Sequence, residues 1–407
     1  MSRGQRLRLV VVLGSLIAVG PLTIDMYLPA LPAIVADFAT TSAAVQLTLT
    51  GTLAGLAAGQ LLIGPLSDAV GRRRPLIAGL LLHVVASVLC VVAPNIAVLG
   101  VLRVVQGLGV AATAVVAMAV VRDLFSGSAF ATMLSRLLLV MGAAPVLAPT
   151  LGGGVLRWTD WRGVFVTLAV FGVLLIAVAA FGLPETLPAA RRRRGGVLAT
   201  LSLYRTLLRD RIFVGLVVVA GLAMAALFAY VAGSSFVLQD GYGLDEQQFG
   251  LAFGAGAVGL IAATQYNVRL LRRYSSQRIL VVALVAGTLA GLALVVFAAT
   301  GFGGLPALLG SLWAVLAAAG LAMPNAPALA LSRHGEAAGT ASALLGAVQF
   351  GVGAVAAPLV GMLGTGALAM ALVVAGGMVA ALAVLLVVVR PARLAGLEPV
   401  PAAVVAH

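Results

Sequence analysis

Long apolar stretches recur along nearly the whole chain, and short polar segments separate them. A bilayer core about 30 Å thick needs roughly 20 apolar residues per helical crossing. Because an unpaired backbone amide is costly in hydrocarbon, such stretches must be helices rather than open strands. The pattern therefore predicts an all-α integral membrane protein with twelve crossings, at residues 9–33, 43–66, 75–94, 96–121, 132–156, 162–183, 211–238, 247–270, 278–299, 304–331, 337–362 and 366–389.

Composition supports this interpretation of the pattern. Of 407 residues, 62% are hydrophobic and only 9% are charged, which excludes an ordinary water-soluble globule. The N-terminal stretch begins like a signal peptide, with arginines ahead of an apolar run. However, the run is too long, lacks a small-residue cleavage site and contains Asp25, so we interpret it as the first crossing. The single cysteine, Cys90, rules out an intrachain disulfide.

Arginine distribution predicts the orientation of the chain. If the N-terminus is cytoplasmic, 22 of the 25 basic residues lie inside, only Arg157 and Arg162 lie outside, and Arg103 lies within the membrane. This satisfies the positive-inside rule and places both termini in the cytoplasm. The net charge of +13 is spread over the short cytoplasmic loops, so it does not indicate a nucleic acid partner.

A polar interruption divides the chain into two sets of six crossings. It carries four consecutive arginines and separates an N-terminal bundle (1–183) from a C-terminal bundle (211–390) through a cytoplasmic linker (184–210), with a short tail (391–407). The sequence A-P-x-x-G occurs at residues 148–152 and again at 357–361, 209 positions later. The same offset relates the other crossings of the two halves. Duplicated halves are typical of rocking transporters, whose substrate site lies between the halves near the midplane.

A conspicuous motif, G-P-L-S-D-A-V-G-R-R-R, stands between the second and third crossings at residues 64–74. It resembles the G-x-L-x-D-x-x-G-R-R signature of the major facilitator superfamily, although Ala69 stands where a basic residue is common. We expect a cytoplasmic gate in which Asp123 pairs with one of the arginines. Positive-inside anchoring alone would explain the arginines but not the aspartate or the glycine spacing. The predicted gate residues are Gly64, Asp68, Gly71, Arg72, Arg73 and Asp123.

Further motifs narrow the resemblance. T-I-D-M-Y-L-P-A-L-P at residues 23–32 resembles the first-helix motif of the bicyclomycin and chloramphenicol resistance exporters, the Bcr/CflA subfamily. R-V-V-Q-G at 103–107, V-R-D-L-F at 121–125, L-P-E-T-L at 183–187 and the stretch 339–349 are also similar to family motifs. The resemblance implies two pseudo-symmetric six-helix bundles in a bacterial-type inner membrane, working as a monomer. It also implies export of small amphipathic drugs, driven by a proton gradient without a bound cofactor.

The fifth crossing resembles the antiporter motif of the superfamily, with Ala148 where glycine usually precedes proline. Small residues allow close helix approach, and prolines introduce bends, as a pivot between two halves requires. Ordinary tight packing of helices explains the same residues. The motif residues are Gly142, Pro145, Pro149, Gly152 and Gly153.

Two ionisable residues, Asp25 and Arg103, lie well inside predicted crossings, where a charge is costly and usually marks function. Counted from the outer helix ends, they lie at depths of roughly 12 Å and roughly 10 Å. At matching depths they could pair, so we expect Asp25 to alternate between binding a proton and pairing with Arg103 or influencing substrate. A permanent buried salt bridge is the alternative.

Candidate substrate contacts are aromatic, amide or thioether side chains at plausible depths, which suit varied amphipathic ligands. Many of them could simply pack. Gln349 has the strongest case because its amide would be expensive facing lipid. The candidates are Met26, Tyr27, Gln46, Met118, Tyr230, Gln349 and Phe350.

Other function classes fit poorly. The three histidines, His83, His334 and His407, lack metal-ligand spacing, and no carboxylate pair lies within the membrane, so neither a metal site nor an enzyme is expected. The chain contains no lysine and hence no G-x-x-x-x-G-K-[ST] loop, which argues against an ATP-driven pump. An importer or facilitator of a small metabolite on the same fold remains the main alternative.

Overall fold

The computed structural model describes residues 3–125, 127–192, 197–334 and 337–391, and within these ranges it contains α-helices and no strand. The helices are α1 Arg3–Asp25, α2 Leu31–Asp37, α3 Ser42–Val70, α4 Arg73–Val91, α5 Ile96–Leu124, α6 Gly127–Leu156, α7 Arg162–Gly182, α8 Val197–Arg209, α9 Arg211–Ser235, α10 Glu246–Leu270, α11 Ser276–Thr300, α12 Gly304–Ser332, α13 Ala338–Leu363 and α14 Ala367–Val384.

Twelve spans of the described chain are long and apolar enough to cross a bilayer. The first, Arg8–Asp37, joins α1 and α2 across a break, and the seventh and twelfth extend α9 and α14 by π-helical turns at Phe236–Gly241 and Leu385–Val389. The predicted crossings end within four residues of these spans. The predicted all-α fold with twelve crossings is therefore confirmed.

The two halves, α1–α7 and α9–α14, meet along two matching interfaces. Helix α3 packs on α13, and α6 packs on α10. The 209-residue offset of the repeat relates α3 to α10 and α6 to α13, so the two interfaces are equivalent under the repeat. We call the end at which α1 begins the cytoplasmic end, following the prediction from the arginines, and the opposite end the outer end.

Large apolar side chains cover the outside of the bundle, and small residues bring the helices together inside. Leu62, Val92 and Val101 are each at least 60% exposed, as expected for a surface whose solvent is lipid. Inside, a side chain at Gly107 of α5 would overlap the Thr52 carbonyl of α3. Close backbone approach thus adds to the packing of α3 on α5 within the N-terminal half.

The segment between the halves is partly helical. The predicted linker contains α8, which packs against α9 and α13. Arg193 and Arg194 of the linker and the tail from residue 392 onward lie outside the described residues.

Candidate functional site

The first crossing is broken beside its acidic residue. Helix α1 ends at Asp25, and a turn at Met26 and Tyr27 leads into a 3-10 turn at Leu28–Ala30 before α2 begins. Pro29 and Pro32 lack the N–H groups that a continuous helix would use, which favours the break at this point. At the break, the backbone carbonyls of Thr23, Leu28 and Pro29 accept hydrogen bonds from side chains of other helices.

Asp25 is buried at this break without a cationic partner. Its residue surface is 6% exposed, and no ion pair among the described residues includes it. Its carboxyl group interacts electrostatically with Tyr230 of α9, a helix of the other half. Tyr230 in turn stacks on Phe253 of α10, with ring centroids 5.0 Å apart. Asp25 therefore lies toward the junction of the two halves.

Arg103 is fully buried in a different environment, the interior of the N-terminal half. Its two terminal nitrogens donate to the Thr23 carbonyl at 3.1 and 3.2 Å, and Nη1 also donates to Gln106 Oε1 at 2.5 Å. The guanidinium carbon lies 4.4 Å from the ring centroid of Tyr27 and 5.7 Å from that of Phe165. Aromatic faces and a backbone carbonyl thus surround the buried charge.

Asp25 and Arg103 do not form a salt bridge in this conformation, so the alternative of a permanent bridge is not met, and the alternation of Asp25 between a proton and Arg103 stays a prediction. No carboxylate of the described residues forms an ion pair with Arg103. Because α1 ends at Asp25, the Thr23 carbonyl has no intrahelical donor and accepts from the guanidinium instead. Gln106 continues the polar chain by donating to Ser87 Oγ at 2.7 Å.

Hydrogen bonds from side chains to the main chain join the two halves at the outer end. Gln46 Nε2 donates to the Ala232 carbonyl at 3.1 Å, Ser235 Oγ donates to the Leu28 carbonyl at 2.7 Å, and Gln239 Nε2 donates to the Pro29 carbonyl at 3.3 Å. We call these three contacts the outer closure. These contacts close the outer end of the bundle, and two of their acceptors, Leu28 and Pro29, follow Asp25 along the first crossing.

Glycines of the antiporter-like helix α6 support the closure. A Cβ atom at Gly153 would lie 2.7 Å from the Glu246 carbonyl oxygen, at the start of α10 in the other half. A Cβ at Gly152 would overlap the Met26 carbonyl within its own half, whereas Gly154 has no atom within 4 Å of that position. Three consecutive glycines thus face three different surroundings. The structure shows the tight packing that the sequence allowed, and the pivot role stays a prediction.

At the cytoplasmic end, Arg72 holds the other charged cluster together. Its Nε lies 2.9 Å from Asp123 Oδ2, and its Nη1 lies 2.5 Å from Asp68 Oδ1. The predicted contact between Asp123 and an arginine is confirmed, with Arg72 as the partner. Burial opposes the charged guanidinium, but the two carboxylates outweigh it and raise the pKa of Arg72. These contacts join helices of one half only.

Glu185 completes this cluster from the segment after α7. Its carboxylate accepts from the backbone N–H groups of Arg72, Arg73 and Leu187 at 2.9 to 3.2 Å. Gly71 adopts φ +101°, and a Cβ there would lie 2.5 Å from Glu185 Oε2, so both the backbone conformation and the space favour glycine. By contrast, a side chain at Gly64 would enter open space. The Arg73 guanidinium, unlike that of Arg72, donates to a backbone carbonyl, that of Ala180.

The family model of the Major Facilitator Superfamily matches residues 13–358. The chain belongs to the Major Facilitator Superfamily. Within this superfamily, it is 36% identical over 360 residues to the MFS-type transporter YdgK of Bacillus subtilis, covering 88% of this chain and 89% of the relative. It is 31% identical over 355 residues to the bicyclomycin resistance protein homolog of Haemophilus influenzae, covering 86% of this chain and 88% of the relative. The predicted resemblance to the Bcr/CflA-type drug transporters is thereby confirmed.

A solved structure of the superfamily shares the fold. The bacterial homolog of the human lysosomal transporter Spinster, in its inward-facing and occupied conformation, aligns with a TM-score of 0.74 at 14% identity over 98% of both chains. The family membership, the transporter relatives and the twelve apolar spans identify the protein as a multi-pass membrane transporter rather than an enzyme.

The predicted substrate residues of this transporter occupy two kinds of position. Tyr27, Met26, Gln46 and Tyr230 are buried, and the Tyr27 hydroxyl hydrogen-bonds to Thr48 Oγ1 at 2.8 Å. Met118, Gln349 and Phe350 are half-buried, with the Phe350 ring 6.1 Å from Phe228. In this conformation Met118, Gln349 and Phe350 keep part of their surface exposed, while Tyr27 packs on Arg103 and Gln46 joins the halves. Their roles as substrate contacts stay predictions.

Several residues of the site were not predicted from the sequence as functional. Glu185 belongs to the L-P-E-T-L motif and Gln106 to R-V-V-Q-G, so both stood in recognised motifs without an assigned contact. Ser235 and Gln239 carried no such signal. Their four-residue spacing at the end of an apolar run was the only available indication that both face one side.

Glu185 leads to a prediction about pH and stability. Desolvation opposes ionisation of Glu185, but three backbone donors and the nearby Arg192 charge outweigh it and hold the pKa below its ordinary value of 4.5. Its stabilising contribution is therefore complete above pH 4.5 and is lost as the pH falls through the lowered pKa. We expect Glu185→Gln to lower the melting temperature at neutral pH, and this difference from wild type to shrink in acid.

Thermal unfolding of purified protein across a pH series measures this difference. Glu246→Gln, at an exposed position of α10, is the matched control and should show little change. An equal effect of Glu185→Gln at neutral pH and in acid would contradict the assignment.

Proposed function

We propose that this transporter exports small amphipathic, drug-like molecules across a bacterial-type plasma membrane in exchange for protons, with both termini in the cytoplasm. The observation that carries the proposal is Asp25, an acid buried at the junction of the halves without a cationic partner. An acid in this position can bind and release a proton without breaking a salt bridge. The name of the bicyclomycin-resistance relative supports a drug as the cargo.

The mechanism follows from the two ends of the bundle. With the outer closure formed, substrate enters from the cytoplasmic side and contacts half-buried groups such as Gln349, Phe350 and Met118. Rocking of the halves opens the outer closure, releases the substrate and exposes Asp25 to external protons. Protonation neutralises the carboxyl group, which lowers the cost of burying it again when the outer end closes, and Asp25 then releases the proton to the cytoplasmic side before the next cycle. The monomer contains every element of this cycle.

Transport into inside-out membrane vesicles tests the proposal. With an imposed gradient that is acid inside, we expect accumulation of a bicyclomycin or chloramphenicol probe above its external concentration, and its collapse when a protonophore is added. Vesicles without the protein are the control. Gradient-driven movement in the opposite direction would instead show an importer. Equilibration that ignores the gradient would show a facilitator.

A further inference from the structure

A groove opens at the cytoplasmic end of the C-terminal half, apart from the junction of the halves. Its volume is about 410 Å³. Helix α9 forms one wall, and the end of α14 with its π-helical extension forms the other. The residues that define it are Val214 and Val218 on α9, Val384 and Val388 on the opposite wall, and Arg209 and Arg211 at its mouth.

The apolar part of the groove is one helical turn deep. Val214 and Val218 are four residues apart on α9, which is roughly 6 Å along the axis. All four valines are partly exposed. Gly215 sets the spacing of the walls, since a Cβ there would lie 2.7 Å from Val389 Cγ2. The result is a narrow slot with apolar sides, too short for the i, i+3, i+4, i+7 anchors of a partner helix.

The mouth of the groove carries uncompensated positive charge. Arg209 and Arg211 are exposed, and neither forms an ion pair with a carboxylate of the described residues. Asp210 lies between them in sequence, but its carboxylate is engaged elsewhere. It accepts from Arg333 Nε at 2.9 Å, lies 3.0 Å from His334 Nε2 and caps α9. Two guanidinium groups are therefore free to bind an anion at the rim of an apolar slot.

The end of α8 fixes the level of this rim relative to the membrane. Leu208 is 56% exposed beside Arg209, whereas Leu207 is buried. An exposed leucine and an arginine directly before a membrane span, which here begins at Arg211, are typical of the boundary between headgroups and acyl chains. The arginines then lie at the height of lipid phosphates, and the valines lie at the height of the upper acyl chain.

We propose that this groove binds an anionic phospholipid of the cytoplasmic leaflet, with the phosphate between Arg209 and Arg211 and one acyl chain along the valines. Charge complementarity selects this occupant, because a zwitterionic headgroup would place its own cation beside two arginines. A free anion would use only the rim and leave the apolar walls without a partner. Basic pockets between helices at this membrane face bind anionic headgroups in general.

Lipid binding to the full chain, purified in detergent, tests the proposal. We would titrate phosphatidylglycerol and phosphatidylcholine in mixed micelles and measure retention by native mass spectrometry. Wild type should retain phosphatidylglycerol at least about tenfold more tightly than phosphatidylcholine, and Arg209→Gln/Arg211→Gln should remove most of that preference. The matched control is Arg269→Gln/Arg272→Gln. It removes the same charge from two exposed positions at the cytoplasmic end of the bundle, where α10 ends.

Two further measurements distinguish a bound lipid from a bound free anion. Val384→Trp fills the slot without changing the arginines and should also weaken phosphatidylglycerol retention. Inorganic phosphate should not compete. Equal losses in the control and groove double variants would overturn the proposal, because general surface charge would then explain binding. Competition by phosphate together with an unaffected Val384→Trp variant would likewise overturn it, leaving a simple anion site. None of these measurements depends on transport.

Discussion

Asp25→Asn should abolish export against a substrate gradient while leaving the folded transporter intact. Asparagine has nearly the same shape as aspartate, but its amide cannot bind and release a proton at the pH at which the transporter works. Since Asp25 forms no ion pair in the described chain, its neutralisation leaves no buried charge without a partner. We therefore expect a normal melting temperature, a loss of gradient-driven accumulation to the background of empty vesicles, and retained exchange of substrate for substrate.

The matched control is Asp240→Asn, an exposed acid at the outer end of the extension of α9. The variant removes the same charge from an exposed position at the outer end, and it should export like wild type. Proton-driven accumulation that survives in Asp25→Asn would eliminate the coupling role of this residue. Loss of substrate exchange as well, with folding unchanged, would instead make Asp25 a substrate contact alone.

The three consecutive glycines of α6 provide the second large effect. Gly153→Ala places a methyl group against the Glu246 carbonyl of the other half, so it should disfavour the conformation with the outer end closed. Overpacking of this kind costs typically 1–3 kcal/mol, which corresponds to a change of about 5- to 150-fold in the population of that conformation. Export should fall accordingly, because substrate loading from the cytoplasm requires the outer end to be closed.

Neighbouring positions supply the controls for this experiment. Gly154→Ala makes the same chemical change in the same helix at a position with open space and should be close to neutral. Gly152→Ala meets the Met26 carbonyl within one half, so it should lower thermal stability rather than shift the conformation. Spin-label distances across the outer end measure the shift directly. If Gly153→Ala and Gly154→Ala gave the same distances, the contact with Glu246 would not control closure.

The sequence predicts depth in the membrane well but rotation about a helix axis poorly. Asp25 and Arg103 were placed at matching depths by counting residues from the helix ends, and this suggested a pair. Whether two side chains face each other also depends on the direction in which each helix presents them. Asp25 interacts with Tyr230 of α9, whereas Arg103 binds the Thr23 carbonyl that the break after α1 leaves without an intrahelical donor.

Contacts between segments far apart in the chain are the second feature that the sequence predicts poorly. Arg72 and Asp123 could be paired from the sequence because both stand at cytoplasmic helix ends and carry opposite charges. The carboxylate of Glu185 comes from 113 residues beyond Arg72 and binds backbone N–H groups, which leave no trace in the side-chain pattern. Similarly, the acceptors of the outer closure are carbonyl groups, which every residue carries. The helices can therefore be predicted from the pattern of apolar residues, whereas these contacts can be identified only in the folded structure.

Those carbonyl acceptors have a consequence for how such a transporter can diversify. Substitution of Leu28 or Ala232 changes a side chain but keeps the oxygen that Ser235 or Gln46 binds. The acceptor of each hydrogen bond in the outer closure is thus kept whatever side chain its residue carries. Only the donor side chains need to be retained. Residues around the cargo can vary to accept a new compound while the barrier to the outside stays in place. A transporter built in this way can gain substrates while its outer closure is retained.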